Sequence, residues 1–148
     1  MVKYYYWDDF TPGWTYESAP RTLSAADIVR FAREYDPQVY HTDPEAAKAT
    51  PFGGLIASGW QTCGLIMRLM CDGYLLESAC MGSPGLDEVK WLKPVRPGDA
   101  LRLRATALEQ TASQKDPRRG SVKFSWEALN QADEVVCRVV GRQYFGRR

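Results

Sequence analysis

Gly59-Trp60-Gln61-Thr62-Cys63-Gly64-Leu65-Ile66-Met67-Arg68-Leu69-Met70-Cys71-Asp72-Gly73-Tyr74-Leu75-Leu76 is the most apolar stretch of this 148-residue chain. Ser58, just before it, is a natural helix N-cap. Cys63, Ile66, Met67, Met70, Cys71 and Tyr74 recur at helical spacing and predict one apolar face. Leu65 and Leu69 widen that face until only Arg68 and Asp72 interrupt it. A helix apolar almost all round must be wrapped by other elements, so 59–76 is predicted to lie at the centre of the fold.

The second half of the chain supplies the wrapping. After Gly82 the apolar period falls to two, the signature of half-buried strands. Leu86 to Lys93 is one strand candidate, ended by Pro94. Leu101, Leu103, Ala105 and Ala107 alternate with polar neighbours, as do Val122, Phe124, Trp126 and Ala128, and Val135 to Phe145 closes the chain. Turn residues at Arg96-Pro97-Gly98-Asp99, Asp116 to Gly120 and Asn130 to Asp133 separate these strands. The expected fold is α+β, an antiparallel sheet curled around one apolar helix.

Upstream, residues 1–14 are aromatic-rich and irregular, and Thr15 to Arg21 reads as a short first strand. Ser24-Ala25-Ala26-Asp27 has the form of a capping box, with Ile28, Phe31, Ala32 and Tyr35 forming the stripe of the helix that follows. Arg30 and Glu34 are placed to pair on its solvent side. Pro37 disfavours helical geometry at Asp36, so Asp36 sits at a helix-to-loop junction. Asp43-Pro44 opens a short helix through about Thr50, broken by Pro51-Phe52-Gly53-Gly54. Neither repeats nor linker-like shifts occur, and 1–148 reads as one domain.

Hydrophobic residues make up 45% and charged residues 25%, ordinary values for a globular chain. A net charge of +1 gives no sign of nucleic acid or an anionic membrane as partner. Cys63, Cys71, Cys80 and Cys137 form no CxxC pair, and the single histidine cannot complete a Cys/His zinc set, so no metal is expected. Two of the four lie in the apolar helix, where cysteine packs as a small hydrophobe. The start of the chain has no secretory h-region and no stretch approaches a membrane span, so the expected setting is cytoplasmic.

The only histidine, His41, follows Asp36 by five residues, within Asp36-Pro37-Gln38-Val39-Tyr40-His41-Thr42-Asp43-Pro44. A carboxylate and an imidazole around one water make a competent acid–base pair. Spacing alone equally fits a structural role, with Asp36 capping a turn and His41 bonding a backbone carbonyl. The helix start at Gly59 offers free N–H groups and a positive dipole end suited to an oxyanion. Glycines there serve tight packing equally well. Ser58 lies in Ile56-Ala57-Ser58-Gly59-Trp60, which lacks the first glycine of a GxSxG elbow, and capping is its better role. Trp14, Tyr40, Trp60 and Trp91 are candidates for lining an apolar pocket or for the core.

In combination these segments resemble the MaoC-like acyl dehydratases, relatives of the (R)-specific enoyl-CoA hydratases, which have the hotdog fold. Trp7-Asp8-Asp9-Phe10-Thr11-Pro12-Gly13 looks like the family's opening segment. The stretch from Asp36 to Ala47 resembles its catalytic segment, and Gly54-Leu55-Ile56-Ala57-Ser58-Gly59 the entry to its central helix. Val89-Lys90-Trp91-Leu92-Lys93-Pro94-Val95-Arg96-Pro97-Gly98-Asp99 resembles its strand-and-turn motif. The resemblance implies that Asp36 and His41 hold the water that adds across a trans-2-enoyl-CoA, with the Gly59 N–H on the thioester oxygen. It implies Tyr40, Ser58 and Trp60 near the substrate, with Trp60 and Gln61 able to narrow or polarise the acyl tunnel. It further implies a coenzyme A thioester as substrate with no metal or redox cofactor, and a homodimer or higher homo-oligomer. Tyr35, Gln38 and Val39 stand where hydratases closest to the family signature have Gly and Asn-Pro, and Ser58 where many members have His.

Two other readings fit a hotdog protein. A thioesterase would place a carboxylate on or beside the central helix, where Asp72 is the only acid and comes late. A non-catalytic acyl-CoA-binding subunit would have no use for both Asp36 and His41. Lys93 and Arg96 are candidate phosphate contacts, though ordinary surface charge explains them as well.

Overall fold

The computed structural model describes residues 3–148, so the first two residues of the aromatic amino-terminal stretch lie outside it. Six strands form one antiparallel sheet: β1 (Thr15–Glu17), β2 (Arg21–Thr22), β3 (Leu86–Trp91), β4 (Ala100–Ala112), β5 (Arg119–Leu129) and β6 (Val135–Gly146). Their order is β1-β4-β5-β6-β3, with β2 also on β4. The expected first strand is therefore two short ones, interrupted at 18–20, where the Ser18 hydroxyl accepts from the Leu103 N–H at 2.8 Å.

Among the described residues a 3-10 turn (Trp7–Asp9) and three α-helices precede the central one: α1 (Ala25–Tyr35), α2 (Val39–Thr42) and α3 (Pro44–Ala47). The predicted capping box forms, with the Asp27 N–H donating to Ser24 Oγ and the Ser24 N–H to Asp27. Asp27 also takes the Arg30 side chain that spacing assigned to Glu34. The partner three residues away is already fixed by its bonds to Ser24. The helix opened by Asp43-Pro44 ends at Ala47 and continues as turns through Thr50.

The central helix is α4 (Gly59–Met70), continued by a π-turn over Cys71–Leu75. Its buried residues are Gln61, Thr62, Leu65, Ile66, Leu69 and Met70, with Tyr74 beyond. Leu65, Ile66, Leu69, Met70 and Tyr74 join the inward row of β4 (Leu101, Leu103, Ala105, Ala107) and of β5 (Val122, Phe124, Trp126, Ala128) in one core, whereas Gln61, expected to polarise the acyl tunnel, donates instead to the Asp27 carbonyl of α1. The buried stripe is thus rotated from the expected one. Met67, predicted to face inward, is exposed, and Cys63 and Cys71 are only half-buried. Each large apolar side chain buried in this layer contributes roughly 1.5–3 kcal/mol. At the core's centre the Trp126 indole N–H donates to the Tyr74 hydroxyl at 3.0 Å, satisfying both buried polar groups. Among the described residues no helix is long and apolar enough to cross a membrane.

Candidate active site

Four local decisions put Asp36 and His41 in one place. Helix α1 closes with the Asp36 N–H on the Ala32 carbonyl, and Pro37 then turns the chain away. Gln38 stands at the N-cap of α2, a single helical turn within the loop-like stretch, which carries His41. The Ile56 N–H donates to the Tyr40 carbonyl at 3.0 Å, docking α2 against the segment that enters α4. The Ala57 N–H donates to the Val95 carbonyl at 2.9 Å, tying that segment to the turn after β3.

His41 is buried, and its Nδ1 lies 2.7 Å from the Ile56 carbonyl oxygen. A carbonyl only accepts, so Nδ1 donates to it, and in that tautomer Nε2 is the ring's acceptor. Nε2 lies 3.3 Å from Asp36 Oδ2. The backbone carbonyl thus holds one ring nitrogen, and the other shares with Asp36 Oδ2 a place for one donor between two acceptors. The Tyr40 ring meets the His41 ring edge-on, 4.5 Å between centroids, and fixes its plane.

Asp36 is held from both sides. Ser58 Oγ donates to Oδ2 at 2.7 Å, and Gln38 Nε2 donates to Oδ1 at 2.7 Å. Gln38 is itself oriented by the Tyr40 hydroxyl, which donates to its Oε1. Burial acts to raise the Asp36 pKa. The bonds from Gln38 and Ser58, with His41 alongside, outweigh it and leave the carboxyl below its usual 3.8. Each carboxylate oxygen keeps accepting capacity for one further donor.

Ser58 also caps α4, accepting from the Trp60 N–H at 3.3 Å. Replacing it by alanine is expected to destabilise the protein by about 1–3 kcal/mol, from the lost cap and the lost bond to a charged group. The sign of its pH effect follows from Asp36. A carboxyl with a lowered folded pKa adds stability above the unfolded value, and that stability is lost as pH falls through the folded one. Ser58→Ala raises the folded pKa, so its urea midpoint should deviate most from wild type at neutral pH and converge with it toward acid.

Gly59 begins α4, and its N–H has no acceptor among the described residues. A Cβ there would lie 2.3 Å from Cε2 of Trp91, so the glycine exists to admit the indole. Trp60, exposed, stacks edge-on against Trp91 at 5.2 Å. These residues line a cleft of about 460 Å³ together with Asp36, Tyr40 and His41. Three of the four aromatic candidates thus face the cleft, whereas Trp14 packs in the core on Phe10 and Tyr74. Sequence reading missed Gln38 as a brace for Asp36 and Trp91 as the cover of Gly59. The glutamine's place two residues after Asp36 was the one available signal.

Asp72 lies away from this cleft, paired with Arg68 at 3.0 Å on the exposed side of the helix. Arg96 donates to the Phe52 and Gly54 carbonyls, and Lys93 pairs with Glu134. Arg96 therefore pins the loop before α4.

A protein-family model described as the MaoC like domain matches residues 9–125. The chain belongs to the MaoC-like family. The MaoC-like dehydratase structure from Rhodospirillum rubrum superposes with a TM-score of 0.90 at 40% identity, covering 97% of each chain. The chain is also 32% identical over 132 residues to the uncharacterised protein YdeM of Bacillus subtilis, 89% of this chain and 90% of that one. It is 40% identical over 88 residues to 3-hydroxyacyl-thioester dehydratase Z of Mycobacterium tuberculosis, 58% of this chain and 57% of that one. The fold is the hotdog fold of this MaoC-like family, and membership supports a hydratase- or dehydratase-type reaction on an acyl-CoA-like substrate.

Proposed function

We propose that this MaoC-like protein reversibly hydrates a trans-2-enoyl-CoA, the reverse being dehydration of a 3-hydroxyacyl-CoA, with the whole chain acting as one hotdog unit. The observation that carries the reading is the 2.7 Å contact between His41 Nδ1 and the Ile56 carbonyl. With Nδ1–H engaged by Ile56, the Nε2 lone pair and the Asp36 carboxylate face the same cleft. A water between them donates one hydrogen to Nε2 and the other to Asp36. As the oxygen bonds to Cβ, its proton passes to Nε2, and the imidazolium so formed is stabilised by the adjacent carboxylate. The pair then returns a proton to Cα, so the elements of one water are added. The Gly59 N–H, at the positive end of α4, receives the thioester oxygen as enolate character develops. Tyr40 and Trp60 shape the substrate side, whereas Ser58, expected beside the substrate, is fully buried and acts through Asp36.

The open edge of the sheet supports a homodimer. Strand β3 pairs only with β6, and Leu86 and Trp91 on it are exposed beside Leu92 and Met67. A second copy would cover this apolar surface. Four unpaired cysteines suit a cytoplasmic setting.

The test is to follow loss of the enoyl-thioester absorbance over enoyl-CoAs of varied length and branching, with a thiol reagent in a parallel sample. Hydration without thiol release is the expected result. Thiol release without hydration would favour a thioesterase instead.

A further inference from the structure

A second cavity of about 270 Å³ follows the cleft along the same two elements. Gly59, Trp60 and Thr62 of α4 and Val136 of β6 line the first, and Cys63, Ile66, Met67 and Met70 of α4 with Val139 and Gln143 of β6 line the second. It therefore begins one helical turn beyond Gly59, about 6 Å along the axis at 1.5 Å per residue. Ile66, Met70, Trp126 and Val139 make most of its wall apolar.

Gln143 is the exception. It occupies an inward position on β6 in the row Cys137, Val139, Gly141, Gln143, Phe145, where the alternation calls for an apolar residue. It is 4% exposed, and its Oε1 is buried with no hydrogen-bond partner. The amide nitrogen makes no hydrogen bond among the described residues and, unlike Oε1, keeps some accessible surface. Ser83, whose hydroxyl also borders the cavity, is turned to Gly85, donating to its carbonyl and accepting from its N–H. A buried amide oxygen without a partner destabilises the free protein, and a ligand group that pairs with the amide recovers part of that loss.

We infer that Gln143 reads a hydroxyl group carried on the acyl chain, distal to the thioester, so that the protein prefers hydroxylated acyl-CoA substrates. The inference rests on the acyl-thioester reading above. A hydroxyl both donates and accepts, so it satisfies the amide whichever end faces the cavity. An alkyl end in the same place would leave the amide unpaired and displace any water serving it. Sites that bond a substrate hydroxyl reject its deoxy analogue for this reason.

The experiment compares a homologous series of terminally hydroxylated trans-2-enoyl-CoAs, each beside its methyl-ended counterpart of equal length, with the wild-type protein, Gln143→Leu and the more adaptable Gln143→Met. At the length that reaches the cavity, wild type should favour the hydroxylated chain by about tenfold in kcat/KM, the effect of one lost neutral hydrogen bond in a buried site. Both variants should invert that order, slowing the hydroxylated chain and speeding the methyl-ended one. Equal rates for both chains in wild type at every length would overturn the inference and leave the hydratase reading standing. A preference that persists in both variants would likewise overturn it. Hydration of neither series would remove both.

Discussion

Asp36→Asn is expected to lower kcat for enoyl-CoA hydration by about 10²- to 10⁴-fold, the range for loss of a positioned acid–base group. Asparagine keeps the shape but places an NH₂ where Ser58 or Gln38 now donates, so two donors meet on one side. The charge that would stabilise the His41 imidazolium is also gone. His41→Ala is expected to lose a similar factor, with added instability because the Ile56 carbonyl loses its buried partner. If the two residues act on a single water, the double variant should fall little below the worse single one, since groups acting as a unit are not additive. Full activity in either single variant would remove the dyad from the mechanism. Circular dichroism and urea titration separate chemical loss from unfolding.

Gly59→Ala carries the second large effect. The new methyl meets the Trp91 indole at 2.3 Å, and the backbone before it is tied by the Ala57 N–H to Val95. Overpacking of this kind costs about 1–3 kcal/mol. Any shift that relieves it moves the free N–H, and loss of one oxyanion donor lowers kcat by about 10²–10³. Trp91→Ala in the Gly59→Ala background should return stability beyond the sum of the single changes, a coupling read by a double-mutant cycle. A Gly59→Ala protein as stable and as active as wild type would deny Gly59 both roles.

The sheet was legible because its signal is local. Alternation over 101–107 and 122–128 set the inward rows of β4 and β5, and Pro and Gly marked the turns. The central helix was legible in position, but its buried stripe was not. Cys63, Met67 and Cys71 are apolar whether they face the sheet or the open β3 edge, and composition cannot tell these apart. The π-turn at Cys71–Leu75 was hidden because the apolar spacing continues through it. Helix α2 was missed for a different reason. Its four residues between Pro37 and Pro44 are too few to show a period.

At the site, the sequence reading brought together Asp36, His41 and Gly59, and all three face one cleft. It did not reach the Ser58–Asp36 bond, which spans 22 residues and depends on α2 docking against the entry to α4. It did not reach the Trp91 indole over Gly59 either, a contact between a sheet edge and a helix start. Gln143 lies within the Val135 to Phe145 strand candidate, and its unpaired amide oxygen is a property of the packed structure alone.

The most direct test of the central claim is a crystal structure with a bound 3-hydroxyacyl-CoA. The 3-hydroxyl should lie within hydrogen-bond reach, about 2.6–3.2 Å, of both His41 Nε2 and an Asp36 oxygen, with the thioester oxygen on the Gly59 N–H. A thioester bound with its 3-hydroxyl remote from both side chains, or its oxygen turned from Gly59, would contradict it.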